Sequence, residues 1–207
     1  MNVTFPPLIA LLLFPGGVIL LTSGLIFEYI DRKLIARFQN RIGPRWFQPL
    51  ADVIKLLAKE EIIPAGTIKA LFIVLPIVAL AAALTAGLSV PLFGFKPVAS
   101  YPGDLIVTLY LLSMMTLCIG LAGANTEDRF SIVGATRALT QLFSYEAPFL
   151  LALLGPAIAL GTWNISEINQ GAGQTMWFIL SQPIGFLAAL IGLMGKLELP
   201  PFDAPEA

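Results

Sequence analysis

Histidine is absent from this 207-residue chain, cysteine occurs once, and charged residues make up only 12% of it. Without histidine the commonest ligand of haem and zinc is missing, which argues against a cytochrome-like membrane subunit or a zinc membrane protease. The single Cys118 lies in an apolar run, so no disulfide framework can form and the chain cannot hold a cluster that needs several thiolates. Any redox cofactors would therefore sit in partners. Also missing are a glycine-rich phosphate loop, a metal-ligand pair and a Ser/His arrangement, so nucleotide hydrolysis cannot drive transport here. Soluble domains carry about 25% charged residues. With 57% hydrophobic residues and a mean hydropathy of +0.85, this chain is built for lipid.

What is present is a series of long apolar runs. A helix needs roughly 20 apolar residues to cross a bilayer core, and five stretches qualify: 5–30, 70–92, 105–123, 139–160 and 176–195. The expectation is an all-α transmembrane bundle of about five spans, forming one membrane domain over 1–207. The N-terminal MNVTFPP has no basic n-region and the run after it is too long for a signal h-region, so a retained first helix is expected. Pro15-Gly16-Gly17 and Pro76 predict bends in the first two spans. Basic residues are unevenly placed. Arg32, Lys33, Arg37, Arg41, Arg45, Lys55, Lys59 and Lys69 fall in the first connection, Lys96 alone in the second, Arg129 and Arg137 in the third, none in the fourth (161–175), and Lys196 in the tail. The positive-inside rule then predicts a multi-pass protein of the cell membrane, with the N-terminus outside and the basic first loop in the cytoplasm.

The first loop carries its own pattern. Within 48–59, Leu50, Val53, Ile54, Leu57 and Ala58 share one helical face while Asp52, Lys55 and Lys59 take the other. This is an amphipathic helix for the membrane surface, with Pro49 suited to its first turn. Ahead of it, Lys33, Arg37 and Arg41 are expected to form one basic ridge on a helix leaving the membrane, before Gly43-Pro44 turns the chain. Two readings stand: a loop that snorkels to lipid phosphates, or a rigid docking platform for an extramembrane protein, favoured by the interleaved Trp46, Phe47 and Gln48 and by acidic partners.

Two further constellations carry ionisable groups. Entering the fourth span, Arg137, Gln141, Ser144, Tyr145 and Glu146 follow one another. With the membrane met near Leu139, Glu146 lies roughly 10 Å deep. An intramembrane carboxylate is costly and marks a functional hypothesis, here a group that takes and releases a proton; its alternative is a structural carboxylate paired within the bundle. At the C-terminus, Glu198, Asp203 and Glu206 form either an acidic channel mouth or a solvated tail. Asp104 and Glu167, near outer helix ends, are expected to be solvated loop charges.

Taken in order, Asp31-Arg32-Lys33, Arg37, Arg41-Ile42-Gly43-Pro44, Gln48-Pro49, Asp52, Lys55-Leu56, Lys59-Glu60, Ser144-Tyr145-Glu146 and Pro201-Phe202-Asp203-Ala204-Pro205-Glu206 resemble one family over nearly the whole chain. The chain is similar to the quinone-site membrane subunit of respiratory complex I and its homologues in membrane-bound hydrogenases and ferredoxin-linked archaeal complexes. The resemblance implies a component at the junction of the membrane and peripheral arms, linking electron transfer to ion movement. It implies junction or docking roles for Asp31, Arg32, Lys33, Arg37, Arg41, Arg45, Gln48, Asp52, Lys55, Lys59 and Glu60. Ion-path roles fall to Glu146, Tyr145, Asp203, Glu206, Glu198 and Glu28. Only Arg45-Trp46-Phe47 separates Gly43-Pro44 from Gln48-Pro49, which is similar to the hydrogenase-type and ferredoxin-linked complexes. The family usually has about eight spans, so this chain is expected to be an N-terminal portion of that fold.

The function expected is a membrane-anchoring, coupling subunit that contributes no catalytic residues, no metal site and no cofactor of its own. Its expected partners are iron–sulfur and hydrogenase-like peripheral subunits, antiporter-like membrane subunits and the lipid bilayer, with no nucleic acid. Quinone reduction at a chamber beneath the junction is the first alternative. A stand-alone secondary transporter is the second, weakened by the absence of inverted repeats and by the dense basic loop.

Overall fold

In the computed structural model, which describes residues 7–12, 16–92, 96–174, 181–199 and 202, every regular element is a helix. The chain divides into two compact units, Met1–Ile62 and Ile63–Ala207. The first holds α1 (Pro7–Leu12), α2 (Gly17–Phe38) and α3 (Gln48–Leu57). The second holds α4 (Lys69–Ser89), α5 (Asp104–Ala124), α6 (Arg129–Leu160), α7 (Ile165–Gln174) and α8 (Pro183–Lys196).

In the second unit α4 packs on α5, α5 on α6, and α6 on α8. The buried positions are mostly small or slender: Ala82 and Ala86 of α4, Cys118 of α5, Ala135, Ala138 and Ala157 of α6. Small residues let helix backbones approach, which is how helices associate where no hydrophobic force separates protein from solvent. Large apolar side chains instead face outward, among them Ile73, Ile77, Leu80, Ile119, Leu151 and Ile158. That inversion is what a lipid-facing surface requires, and the second unit is a helical membrane bundle.

Among the described residues three helices are long and apolar enough to cross a membrane: α4, α5 and α6. At about 1.5 Å per residue, the 21 residues of α4 and of α5 match a core of about 30 Å. The 32-residue α6 exceeds it. It begins at Arg129, ten residues ahead of the expected span, because the Asp128 side chain accepts the Ser131 backbone N–H at 3.1 Å and caps the helix there. The expected first span is divided between α1 and α2. Residues 13–15, and residues 176–180 of the expected fifth span, lie outside the described residues, and the 14-residue α8 covers the rest of the latter from Pro183 and ends on Lys196.

Two expectations are corrected here. Arg41 does not continue the ridge of Lys33 and Arg37, because α2 ends at Phe38. Asn40 adopts a left-handed conformation (φ 55°), its N–H bonds to the Arg37 carbonyl at 3.1 Å, and the Arg41 N–H bonds to the Ala36 carbonyl at 2.7 Å. This paired closure terminates a helix. Asp104 is likewise not a solvated charge: it is fully buried.

The reason for that burial lies in α7, which occupies part of the expected fourth connection. Asn164 caps it, its side-chain oxygen accepting the Ser166 and Glu167 N–H groups at 2.9 and 3.2 Å. Asp104, at the start of α5, accepts the Ile165 N–H at 2.7 Å, and the Leu105 N–H reaches the Trp163 carbonyl at 3.2 Å. Asn164 also donates to Ser100 at 2.9 Å. The second and fourth connections thus meet at one end of this unit, as the alternating spans demand. Asp104→Ala should lower unfolding stability by about 1–3 kcal/mol by leaving a buried N–H without its acceptor. Asp104→Asn, which keeps that acceptor, should cost less. Thermal unfolding of the two variants checks the order.

Candidate functional site

In the first unit, the polar face of α3 is tied to the end of α2. Arg32 bridges Glu28 at 2.5 Å, one turn earlier on its own helix, and Asp52 of α3 at 2.8 Å. Gln48 donates to the other Asp52 oxygen at 3.1 Å. Pro49, which the sequence placed in the first turn of α3, is buried. The Arg32 hydrogen bond, seconded by Gln48, holds the Asp52 carboxyl below its ordinary value of 3.8, and the same bond raises Arg32. Both groups are therefore charged at neutral pH. Exposed as they are, they set the angle between two elements more than they stabilise the fold.

Around this join, Lys33 lies over the Tyr29 ring at 5.9 Å, and Trp46 meets Phe47 edge-on at 5.8 Å. A shallow cavity of about 240 Å³ is lined by Arg32, Gln39, Arg41 and Gly43-Pro44. Asp31, Arg37, Arg45, Lys55, Lys59 and Glu60 are exposed. Of the junction candidates the structure brings together Arg32, Gln48 and Asp52, with Glu28, an ion-path candidate, as the fourth member.

The second unit holds Glu146. Its Oε1 accepts a hydrogen bond from Ser113 of α5, and its Oε2 is buried without a hydrogen-bond partner among the described residues. Lys196, the last residue of α8, donates to the Ser113 hydroxyl at 3.3 Å and stands 5.8 Å from the Phe149 ring centre. Three helices thus deliver one carboxylate, one hydroxyl and one amine to the same place. The geometry fits a group that exchanges a proton, because one carboxylate oxygen is held while the other remains available.

The approach of α8 that brings Lys196 here depends on two glycines. A Cβ on Gly192 would stand 2.7 Å from Phe149 Cβ, and one on Gly195 would stand 2.9 Å from the Tyr145 ring. Tyr145 is buried and its hydroxyl has no hydrogen bond of regular geometry among the described residues. Glu198 interacts electrostatically with it from just beyond α8, where a left-handed backbone (φ 53°) turns the chain. The Leu199 N–H closes that turn on the Met194 carbonyl at 3.1 Å. Beside this group lies an apolar cavity of about 250 Å³, lined by Gln141, Ser144, Tyr145, Pro148, Gly192 and Phe202 among others. Gln141 donates to the Phe202 carbonyl, pinning the segment after α8 to α6. Pro148 cannot donate to the Ser144 carbonyl, so the helix ladder is interrupted two residues from Glu146.

Of the ion-path candidates, Glu146, Tyr145 and Glu198 come together, Glu28 belongs to the first unit, and Asp203 and Glu206 lie outside the described residues. Sequence reasoning missed Ser113 and Lys196. Ser113 is a lone hydroxyl in the run Leu111-Leu112-Ser113-Met114-Met115, and Lys196 counted as the basic residue that opens the acidic C-terminal segment, without a site role. Among the described residues no group of His, Cys, Asp and Glu is placed to hold a metal ion.

Comparison with known proteins places this geometry in context. A sequence family described as NADH dehydrogenase matches residues 9–207. The chain is similar to proteins named as the H subunit of NADH-quinone oxidoreductase. That of Anoxybacillus flavithermus is 33% identical over 200 residues, covering 92% of this chain and 60% of the relative. That of Bacillus mycoides is 33% identical over 206 residues, covering 96% and 61%. That of Dehalococcoides mccartyi is 34% identical over 206 residues, covering 97% and 57%. The chain spans about three fifths of the length of these curated relatives.

Proposed function

The chain belongs to the NADH dehydrogenase family of membrane subunits, and from that premise we propose that it anchors a complex I-related respiratory complex in the membrane and couples its electron transfer to the movement of protons or sodium ions. The observation that carries this reading is Glu146, a carboxylate set inside a helix bundle with one oxygen bonded to Ser113 and the other unpartnered among the described residues. An acidic side chain placed within a membrane bundle is costly, and its position between α5, α6 and α8 supports a role in ion handling. The first unit supplies the docking half of the proposal. Its basic residues sit around an α2–α3 corner joined by Arg32, Asp52 and Gln48, which supports docking of an iron–sulfur peripheral arm over contact with lipid phosphates alone. On this reading the basic loop faces the cytoplasm and the N-terminus lies outside. The short spacing between Gly43-Pro44 and Gln48-Pro49 favours a ferredoxin-linked or hydrogenase-type peripheral arm.

A second reading takes quinone as the electron acceptor. It is favoured by the name of the relatives and by the apolar cavity beside Gln141 and Tyr145, which has the character of a quinone slot if not its full volume. Purification of the tagged protein in a gentle detergent tests the reading. Iron–sulfur proteins and antiporter-like membrane subunits should accompany it. Reduction of a water-soluble quinone by that complex would identify the acceptor, and nickel in a partner would identify a hydrogenase. A chain that arrives alone, iron-free and still moving ions would overturn the proposal.

A further inference from the structure

Lys196 has no assigned part in the reading above, yet its amine reaches the Glu146 cluster in the second unit. Its contact is indirect. Lys196 Nζ donates to Ser113 Oγ at 3.3 Å, and Ser113 in turn donates to Glu146 Oε1. A serine hydroxyl accepts on its lone pairs while donating its single proton, so the three groups form a chain in which every link points from the amine toward the carboxylate. The Phe149 ring, 5.8 Å from the amine, covers one side of it with an apolar wall. Among the described residues, Tyr145 and Glu198 are further titratable groups that interact at this place.

We propose that Lys196 exchanges a proton with Glu146 through the Ser113 hydroxyl. In the forward step one N–H bond of the ammonium breaks and its proton joins Ser113 Oγ, while the proton Ser113 already carried passes to Glu146 Oε1. An ammonium and a carboxylate become an amine and a carboxylic acid. No electron moves and no net charge is created. The reverse step restores the ion pair. Ser113 can also turn its proton to the Leu109 carbonyl, 2.9 Å away, and in that rotamer the chain is broken. Rotation of one hydroxyl therefore opens and closes the path. The inference rests on the ion-path role of Glu146 and deepens it by making the proton the ion handled at this station.

Arginine distinguishes exchange from a fixed counter-charge, because it retains the positive charge and the donors but cannot give up its proton in a protein. The measurement is protons moved per electron by the whole complex in lipid vesicles, with electron-transfer rate and subunit composition read on the same samples. Lys196→Arg and Lys196→Gln should both lower the ratio by about tenfold or more, a floor set below the ~10²–10⁴ by which a positioned proton donor speeds a transfer. Ser113→Ala should do the same and Ser113→Thr should not, which decides the matter even where the lysine variants fail to assemble. The infrared carboxyl band that disappears in Glu146→Gln should also shift in Ser113→Ala. A native ratio in Lys196→Arg or in Ser113→Ala would overturn the relay. If Glu146→Gln itself keeps the native ratio, the coupling role of Glu146 fails. If only Lys196→Arg keeps it, that role stands and the relay alone is lost.

Discussion

Glu146→Gln is expected to stop ion translocation while electron transfer through the assembled complex continues. Glutamine has nearly the same shape as glutamate, and its carbonyl oxygen can still accept the Ser113 hydrogen bond that Glu146 accepts. Packing between α5 and α6 should survive. What the amide cannot do is take up or release a proton. The unpartnered oxygen would become an NH₂ group buried without an acceptor among the described residues, at a cost of about 1–3 kcal/mol, which is small beside the function removed. A loss of about tenfold or more in ions moved per electron, with unaltered subunit composition, is the expected result, by comparison with the effect of removing a positioned proton carrier. Vesicle assays with a pH-sensitive dye and a parallel electron-transfer assay give both quantities. Pumping at the native ratio in this variant would sink the coupling role. Loss of both activities together would instead mean that the carboxylate holds the bundle in shape.

How far the sequence carries the argument differs from element to element, and the differences have physical causes. The surface helix α3 was legible because both of its determinants are local: an apolar face with helical spacing and a proline at its start. Glu146 was legible because a carboxylate inside an apolar run is conspicuous whatever surrounds it. The end of α2 was harder. A left-handed Asn40 closes the helix, but Asn tolerates that conformation without requiring it, so only the paired hydrogen bonds reveal the stop. The helix α7 could have been found, since Asn164 followed by Glu167 is a capping pattern, although its polar sequence carries little apolar periodicity. Asp104 was misjudged because position near a helix end says nothing about burial: its neighbours come from residues about sixty positions later. The same holds for Ser113, whose contacts to Glu146 and Lys196 span 33 and 83 positions. Roles that depend on tertiary contacts between distant residues are invisible to any reading of local pattern.

The close approach of α8 to α6 leads to the second large effect. Gly192→Ala should be far more damaging than Gly120→Ala, although both insert one methyl group at a buried glycine in an apolar helix. At Gly192 the added Cβ would stand 2.7 Å from Phe149 Cβ and 2.8 Å from its ring. A Cβ is fixed to the backbone, so Phe149 cannot swing aside and α8 must move away from α6. At Gly120 the nearest atoms, at 2.5 and 2.6 Å, are Cδ2 and Cγ of Leu139, the outer part of a flexible side chain that can change rotamer. Overpacking of a rigid contact costs roughly 1–3 kcal/mol, and the upper part of that range is expected at Gly192, with less than about 1 kcal/mol at Gly120. Denaturant titration of the two variants in detergent reads the difference. Function adds a second readout, because a retreat of α8 also carries Lys196 away from Ser113. Gly192→Ala should therefore reduce ions moved per electron even under conditions where the protein remains folded, and Gly120→Ala should leave that ratio unchanged. Equal losses of stability in the two variants would mean that the contact between α6 and α8 is looser than these distances imply, and that the position of Lys196 does not depend on it.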